Sequence, residues 1–233
     1  MMKLYRPVLT TPEDVEDLFS RLWPGGVVLI ENRSTLGAEF ILSSFVHLSR
    51  NSGKVLIIED IFDTLPLYTA HLDLMGVGVD WSEVRVIKVG GSREVGNVVG
   101  RIRFENNPYV YQKKLEEQLE RAKPSGPYVH LVLGLERLLA LQEGTHNAYS
   151  LFNLIRQKVG DEISTTVYLV EEPVVEGLRF NPLPMLEDVA TSVVELTDED
   201  ELLRMNLRKS VFTLLHNRTR ILLSAREIMR WYG

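Results

Sequence analysis

Five short runs of β-branched and apolar residues recur along the chain: "VVLIE" (Val27 to Glu31), "KVLIIED" (Lys54 to Asp60), "VRVIKV" (Val84 to Val89), "YVHLVLGL" (Tyr128 to Leu135) and "TTVYLVEE" (Thr165 to Glu172). Each is too short for a helix and is continuously apolar rather than alternating, the pattern of a strand buried on both faces. Segments with helical spacing lie between them. Leu36, Phe40, Ile41, Phe45 and Leu48 follow the first run, "TLPLYTAHLDLMG" the second and "YVYQKKLEEQLERAK" the third, while "AYSLFNLIRQKVG" sits between the fourth and fifth. Strand, helix, strand at these lengths requires right-handed parallel crossovers, with helices covering both faces of one sheet. The expected class is α/β: a three-layer, mostly parallel, doubly wound sheet.

The flanking segments are less regular. "TTPEDVEDLFSRLW" (Thr10 to Trp23) reads as a capped amphipathic helix, and the terminal "SAREIMRWY" also reads as helical. "GGSREVGNVVGRIRFENNP" (Gly90 to Pro108) is expected to be an irregular loop or small hairpin. "VATSVVEL" (Val189 to Leu196) is a sixth strand. For residues 203–215 the alternation of Leu203, Met205 and Leu207 favours a strand, with a helix as the other reading.

A chain of 233 residues, 45% hydrophobic and 25% charged, fits one large domain spanning residues 1–233. The net charge of -6 disfavours a general nucleic-acid binder. With no cysteine, disulfides, thiolate metal sites and cysteine nucleophiles are excluded. No segment resembles a signal peptide or a membrane span, so a cytoplasmic location is expected, and the triplets at Asn32 and Asn217 carry no glycosylation meaning. Scarce Gln beside abundant Glu, Arg, Val and Leu is compatible with a thermophilic source.

The first strand runs through a short polar loop with one glycine into a helix, the layout of a phosphate-binding loop. The working form is G-x-x-x-x-G-K-[ST]. Through Gly37 that spacing gives Asn32, Arg33, Ser34, Thr35, Leu36, Gly37, Ala38 and Glu39. Ala38 stands at the lysine position, and Glu39 replaces the hydroxyl that would ligate Mg²⁺. A lysine roughly 4 Å from a phosphate is worth about 4 kcal/mol at an effective dielectric near 20, and a carboxylate there costs about as much. Loop amides and the helix N-terminus still attract an anion. Arg33, Ser34, Thr35, Gly37 and Glu39 therefore form a candidate anion site, weighed against the plainer reading of a retained structural turn.

Gly25-Gly26 before the first strand, "KVLIIED" as the second, "YVHLVLGLERLLAL" as the fourth, and "LEDVATSVVEL" followed by "LLRMNLRKS" are laid out like the RecA-like domain of KaiC-type ATPases. From about Thr11 to Leu223 the chain resembles an archaeal, Thermococcales-type KaiC-like family with degenerate Walker motifs. The resemblance implies a RecA/KaiC-like P-loop NTPase fold. It also implies side-by-side assembly into a homo-oligomer or with a related KaiC-like protein. In such enzymes the fourth strand ends in an acid that organises Mg²⁺ and water; Gly134 holds that position here, with Glu136 two residues on.

Losing the lysine, the hydroxyl and the strand-end acid together points to a non-catalytic domain that acts as a scaffold or regulatory partner and needs no cofactor or metal. The alternative is an atypical ATPase that binds ATP and Mg²⁺ through Arg33 and Glu39 and draws catalytic groups from Glu59, Asp60 and Glu136. Asp63, Glu171 and Glu172 also fall at strand C-termini, the ligand-binding edge of open α/β sheets. The scattered histidines show no metal-ligand spacing, and His130, inside a buried run, is expected to be a hydrogen-bonded core residue. No G-x-S-x-G elbow is present. A third reading comes from the C-terminal stretch, where Arg204, Arg208, Lys209, Arg218, Arg220, Arg226 and Arg230 face one acid, Glu227. Such a surface suits nucleic acid or an acidic face of a neighbouring subunit.

Overall fold

The computed structural model of the protein describes residues 24–142, 145–211 and 220–224, together with 14, 15, 18 and 19. Among the described residues nine strands form one sheet: β1 (Val27–Asn32), β2 (Val55–Ile61), β3 (Arg85–Val89), β4 (Asn97–Ile102), β5 (Tyr128–Leu133), β6 (Ser164–Glu171), β7 (Ser192–Glu199), β8 (Leu202–Ser210) and β9 (Arg220–Ser224). Their order is β4-β3-β2-β5-β6-β1-β7-β8-β9. Every pairing from β4 to β7 is parallel, and β7, β8 and β9 close the far edge as an antiparallel meander.

Helices cover both faces. On one, α1 (Gly37–Ser52) and α2 (Thr64–Leu74) pack Phe40, Ile41, Phe45, Leu65 and Leu72 against Ile30, Ile58, Leu131 and Leu169. On the other, α3 (Pro108–Ala122), α4 (Leu135–Ala140) and α5 (Thr145–Gln157) lay Leu115, Leu138, Leu151 and Phe152 over Leu29, Ile57, Val132 and Val170. Two short helices, α6 (Glu172–Glu176) and α7 (Leu183–Val189), bridge β6 to β7. Each fully buried Phe, Leu or Ile contributes about 1.5–3 kcal/mol, so the two apolar layers dominate stability. Helix α1 stops at Gly53, whose φ of 66° is the left-handed C-terminal cap that glycine adopts without strain. The parallel three-layer architecture agrees with the reading of the five apolar runs.

Three local expectations need correction. The stretch from Gly90 to Pro108 contains β4, a parallel edge strand, rather than only a loop or hairpin. After β3 the chain runs straight back through residues 90–96 and re-enters beside β3, with no crossover helix. Gly90, Gly91 and Gly96 all have positive φ along this return. Asn97 N–H then donates to the Val84 carbonyl at 2.9 Å, fixing the register. The second correction is the fourth apolar run, which ends at Leu133; "LERLLA" turns into α4. Third, "RILLS" forms β9, a strand not anticipated. Residues 202–210 are a strand, as their alternation suggested, whereas 212–215 lie outside the described residues. Most of the N-terminal helix and all of "SAREIMRWY" beyond Ser224 also lie outside them, although residues 14, 15, 18 and 19 are helical and Val15, Leu18 and Phe19 are buried.

Candidate functional site

The loop from β1 to α1 lies at the C-terminal edge of the parallel strands, between β6 and β7. The donors of Arg33, Ser34 and Thr35 are engaged by the protein's own oxygens. Asn32 Oδ1 accepts from the Ser34 N–H at 3.2 Å and from the Ser34 hydroxyl at 2.8 Å. The Asp198 carboxylate, from the end of β7, accepts from the Thr35 N–H at 3.0 Å and from the Thr35 hydroxyl at 2.7 Å. Arg33 N–H donates to the Leu196 carbonyl at 2.9 Å. A carboxylate thus sits on the Thr35 donors of the loop. Gly37 is needed for space, since a Cβ there would collide with the Ser34 hydroxyl and lie 2.6 Å from Asn32 Oδ1.

The charged members of the candidate anion site turn away from the loop interior. The Arg33 guanidinium is held 2.7 Å from both Glu172 and Glu176 on α6. Glu39 is 4% exposed, and its Oε1 accepts from His71 Nδ1 on α2 at 2.6 Å. Ser34 and Thr35 stay in the loop and Gly37 opens α1, so the two charged side chains of the five are paired with α2 and α6. Among the described residues no three His, Cys, Asp or Glu side chains are arranged to hold a metal ion.

Beside this loop three carboxylates cluster at the ends of α1, β5 and β6. Glu171 accepts from Asn32 Nδ2 at 2.9 Å and from the Tyr68 hydroxyl at 2.6 Å. The Tyr68 hydroxyl is held well above its usual range by burial and by Glu171, Glu136 and Glu39 together. Glu136, in the first turn of α4, is 2% exposed, and its Oε2 has no hydrogen-bond partner. Arg137 Nε lies 4.0 Å from its other oxygen. Burial, with Glu171 adding to it, pushes the Glu136 carboxyl up to about 7. The crevice is therefore acidic, the opposite of what a triphosphate requires.

The remaining two alternative catalytic acids lie elsewhere and apart from each other, because neighbouring strand residues face opposite sides of the sheet. Asp60 accepts from Lys88 Nζ at 2.6 Å and from the Leu65 N–H at 2.9 Å; Lys88, itself 1% exposed, also donates to Asp63. Asp63 in turn accepts from the Ser92 and Arg93 N–H groups, tying the glycine-rich return to the end of β2. The three charges form one ion-paired network at the end of β2. Glu59 points to the opposite face, towards α3. Sequence reasoning missed Tyr68, His71, Lys88 and Asp198, whose placement depends on distant pairings. Lys88 alone carried a signal: a charge inside a continuous apolar strand implies a buried partner.

A linkage prediction follows from the two buried acids of this edge. Glu136 is raised from 4.5 to about 7; Glu31, buried at the end of β1 with Arg208 Nη2 at 2.9 Å, is raised mainly by burial to about 8. The stability each contributes as a neutral acid is complete below about pH 4.5 and is lost as pH rises through its folded value. Glu136→Gln is expected to remove about 2–3 kcal/mol of the stability decline between roughly pH 5 and pH 8. Urea unfolding of both proteins at the two pH values measures it. An identical decline in the variant would show that Glu136 does not titrate in this way.

Comparison with known proteins places this geometry. Residues 17–220 match the family model described as "Pyrococcus protein of unknown function, DUF257". The chain belongs to this family. Among solved structures, the DUF257 chain is similar to the Pyrococcus horikoshii OT3 protein PH0250 (TM-score 0.73, 28% identity, covering 87% of this chain and 93% of that one). It also resembles the KaiC-like protein PH0186 of Pyrococcus horikoshii OT3 (TM-score 0.53, 12% identity, 81% and 80% covered). A third likeness is to the flagellar accessory protein FlaH of Methanocaldococcus jannaschii (TM-score 0.56, 14% identity, 88% and 89% covered). At such identities the last two show shared fold alone, and that fold is KaiC-like and RecA-like. No curated protein matches the sequence. No helix among the described residues is long and apolar enough to cross a membrane.

Proposed function

We propose that this DUF257 chain is a non-catalytic KaiC-like domain whose phosphate loop has become a structural turn, and that it works as a scaffold or regulatory partner. The observation that supports this reading most is the Asp198 carboxylate on the Thr35 N–H and hydroxyl, an internal negative group placed on two donors of the loop. Arg33, clamped by Glu172 and Glu176, supplies no free charge to replace the missing lysine. The fold would then serve its assembly geometry, side by side with copies of itself or with a related KaiC-like chain, without nucleotide control.

The ATPase alternative, with ATP and Mg²⁺ drawn to Arg33, Glu39 and Glu136, has one feature in its favour: the unpartnered Glu136 Oε2 at the ligand-binding edge. A phosphate-release assay separates the two. The expected result is no turnover above the buffer rate, with sedimentation velocity showing the same assembly state with and without Mg-ATP. Turnover that Glu136→Gln abolishes would reject the non-catalytic reading. The nucleic-acid alternative is weakened by pairing within the basic stretch: Arg204 lies 3.6 Å from Glu195, Arg208 2.9 Å from Glu31 and Arg220 2.5 Å from Glu199, while Lys209 donates to the Glu187 carbonyl at 2.6 Å. Arg218, Arg226 and Arg230 lie outside the described residues.

A further inference from the structure

On the face of the sheet opposite the β1–α1 loop, a pocket of about 170 Å³ opens between α3 and α5 over the strands β2, β5 and β6. Its size is that of a single substituted ring, since a cavity of about 150 Å³ in an engineered protein accepts benzene. Leu151 and Ile155 of α5 line it together with Tyr111 and Tyr168, and Glu116 and Lys158 add one charge of each sign to the lining. At the floor lies Glu59, 1% exposed. The Tyr111 hydroxyl donates to its Oε1. His130 Nε2 lies 3.2 Å from its Oε2 but is not aligned for a hydrogen bond. Beside His130 in the β5–β6 register stands Thr166, 1% exposed, whose hydroxyl is also without a partner.

Two features of this pocket ask for a ligand. A fully buried carboxylate is costly unless a positive group or several donors match it; among the described residues Glu59 has one aligned donor, the Tyr111 hydroxyl, and within ion-pair distance only the misaligned His130, with no lysine or arginine. One buried polar atom of the lining, His130 Nε2, is left unsatisfied, where native interiors satisfy nearly all of theirs. Mainly apolar walls with a few convergent polar groups are the usual form of a small-molecule site. Tyrosine rings in the lining attract a cation as well as another ring. At the rim, Gln112 of α3 donates to Gln157 of α5 at 2.9 Å, so the mouth is bridged by one hydrogen bond.

We infer that this pocket binds a small flat aromatic cation, with its positive group on Glu59 and its ring between Tyr111 and Tyr168. The site is independent of the degenerate loop and would operate whatever that loop does. Benzamidine is a suitable probe, with toluene matching its ring and benzoate reversing its charge. Titrations of the full chain followed by calorimetry and thermal unfolding are expected to show saturable benzamidine binding that raises Tm, weaker binding of toluene and none of benzoate. Glu59→Gln is expected to weaken benzamidine at least about tenfold, because the charge is lost while the volume is kept. Leu151→Trp, which fills the pocket, is expected to abolish binding of benzamidine and toluene alike. In wild type, nuclear Overhauser contacts between benzamidine and tyrosine ring protons give a readout that needs no variant to fold. Absence of saturable binding in the millimolar range, equal binding of toluene or benzoate, or binding unchanged by Leu151→Trp would overturn the assignment.

Discussion

Lys88→Met is expected to destabilise the protein by about 3–5 kcal/mol, the usual cost of removing one member of a buried ion pair. The ammonium is 1% exposed and bridges Asp60, equally buried, to Asp63 at the turn after β2. Burial already holds the Asp60 carboxyl above its usual range in spite of the lysine. Without the lysine, two carboxylates would face each other with no counter-charge. The remaining help would come from the N–H groups of Leu65, Ser92 and Arg93. Differential scanning calorimetry should show a fall in Tm of roughly 6–20 °C, at 2–4 °C per kcal/mol for a chain of this size. Adding Asp60→Asn should return part of the loss, because it removes the stranded charge. A fall below about 1 kcal/mol would mean that the triad is better solvated than its burial indicates.

The second large effect concerns the position that carries the strand-end acid in the ATPases this family resembles. Gly134→Asp is expected to cost about 2–5 kcal/mol, combining strain at positive φ with overpacking. Gly134 has φ of +85°, and a Cβ there would lie 2.7 Å from the Ile61 carbonyl oxygen and collide with the Thr64 hydroxyl. That hydroxyl donates to the same carbonyl at 2.6 Å and is fully buried, so neither group can move aside cheaply. Gly134→Ala should show most of the loss. Gly126→Ala is the control: nothing lies within 4 Å of its Cβ position, and a change within about 0.5 kcal/mol is expected. The β5–α4 corner is packed closely around a residue without a side chain.

The fold was legible where strands are buried on both faces. β1, with all six residues buried, leaves an unmistakable apolar run. β4 does not, since as an edge strand its residues alternate between exposed and half-buried and its glycine-flanked entry imitates a loop. β9 is only five residues long and pairs with β8 alone. At the site, strand-end acids could be located from the run lengths, which is why Asp60, Glu136 and Glu171 were candidates. Their partners could not. Asp198 is 163 positions from Thr35, and only the parallel register of β1 with β7 brings them together. The separation of Glu59 from Asp60 was implicit in the sequence, because a strand with a side-chain period of two cannot aim adjacent residues into one crevice.

The proposal that the β1–α1 loop is a structural turn rests on Asn32 and Asp198 accepting from Ser34 and Thr35, beside the acidic groups Glu39, Glu136 and Glu171. Isothermal titration of the full chain with Mg-ATP tests it most directly. No saturable heat below the millimolar range is the expected outcome, whereas a micromolar dissociation constant with one site per chain, weakened by Arg33→Ala, would contradict it.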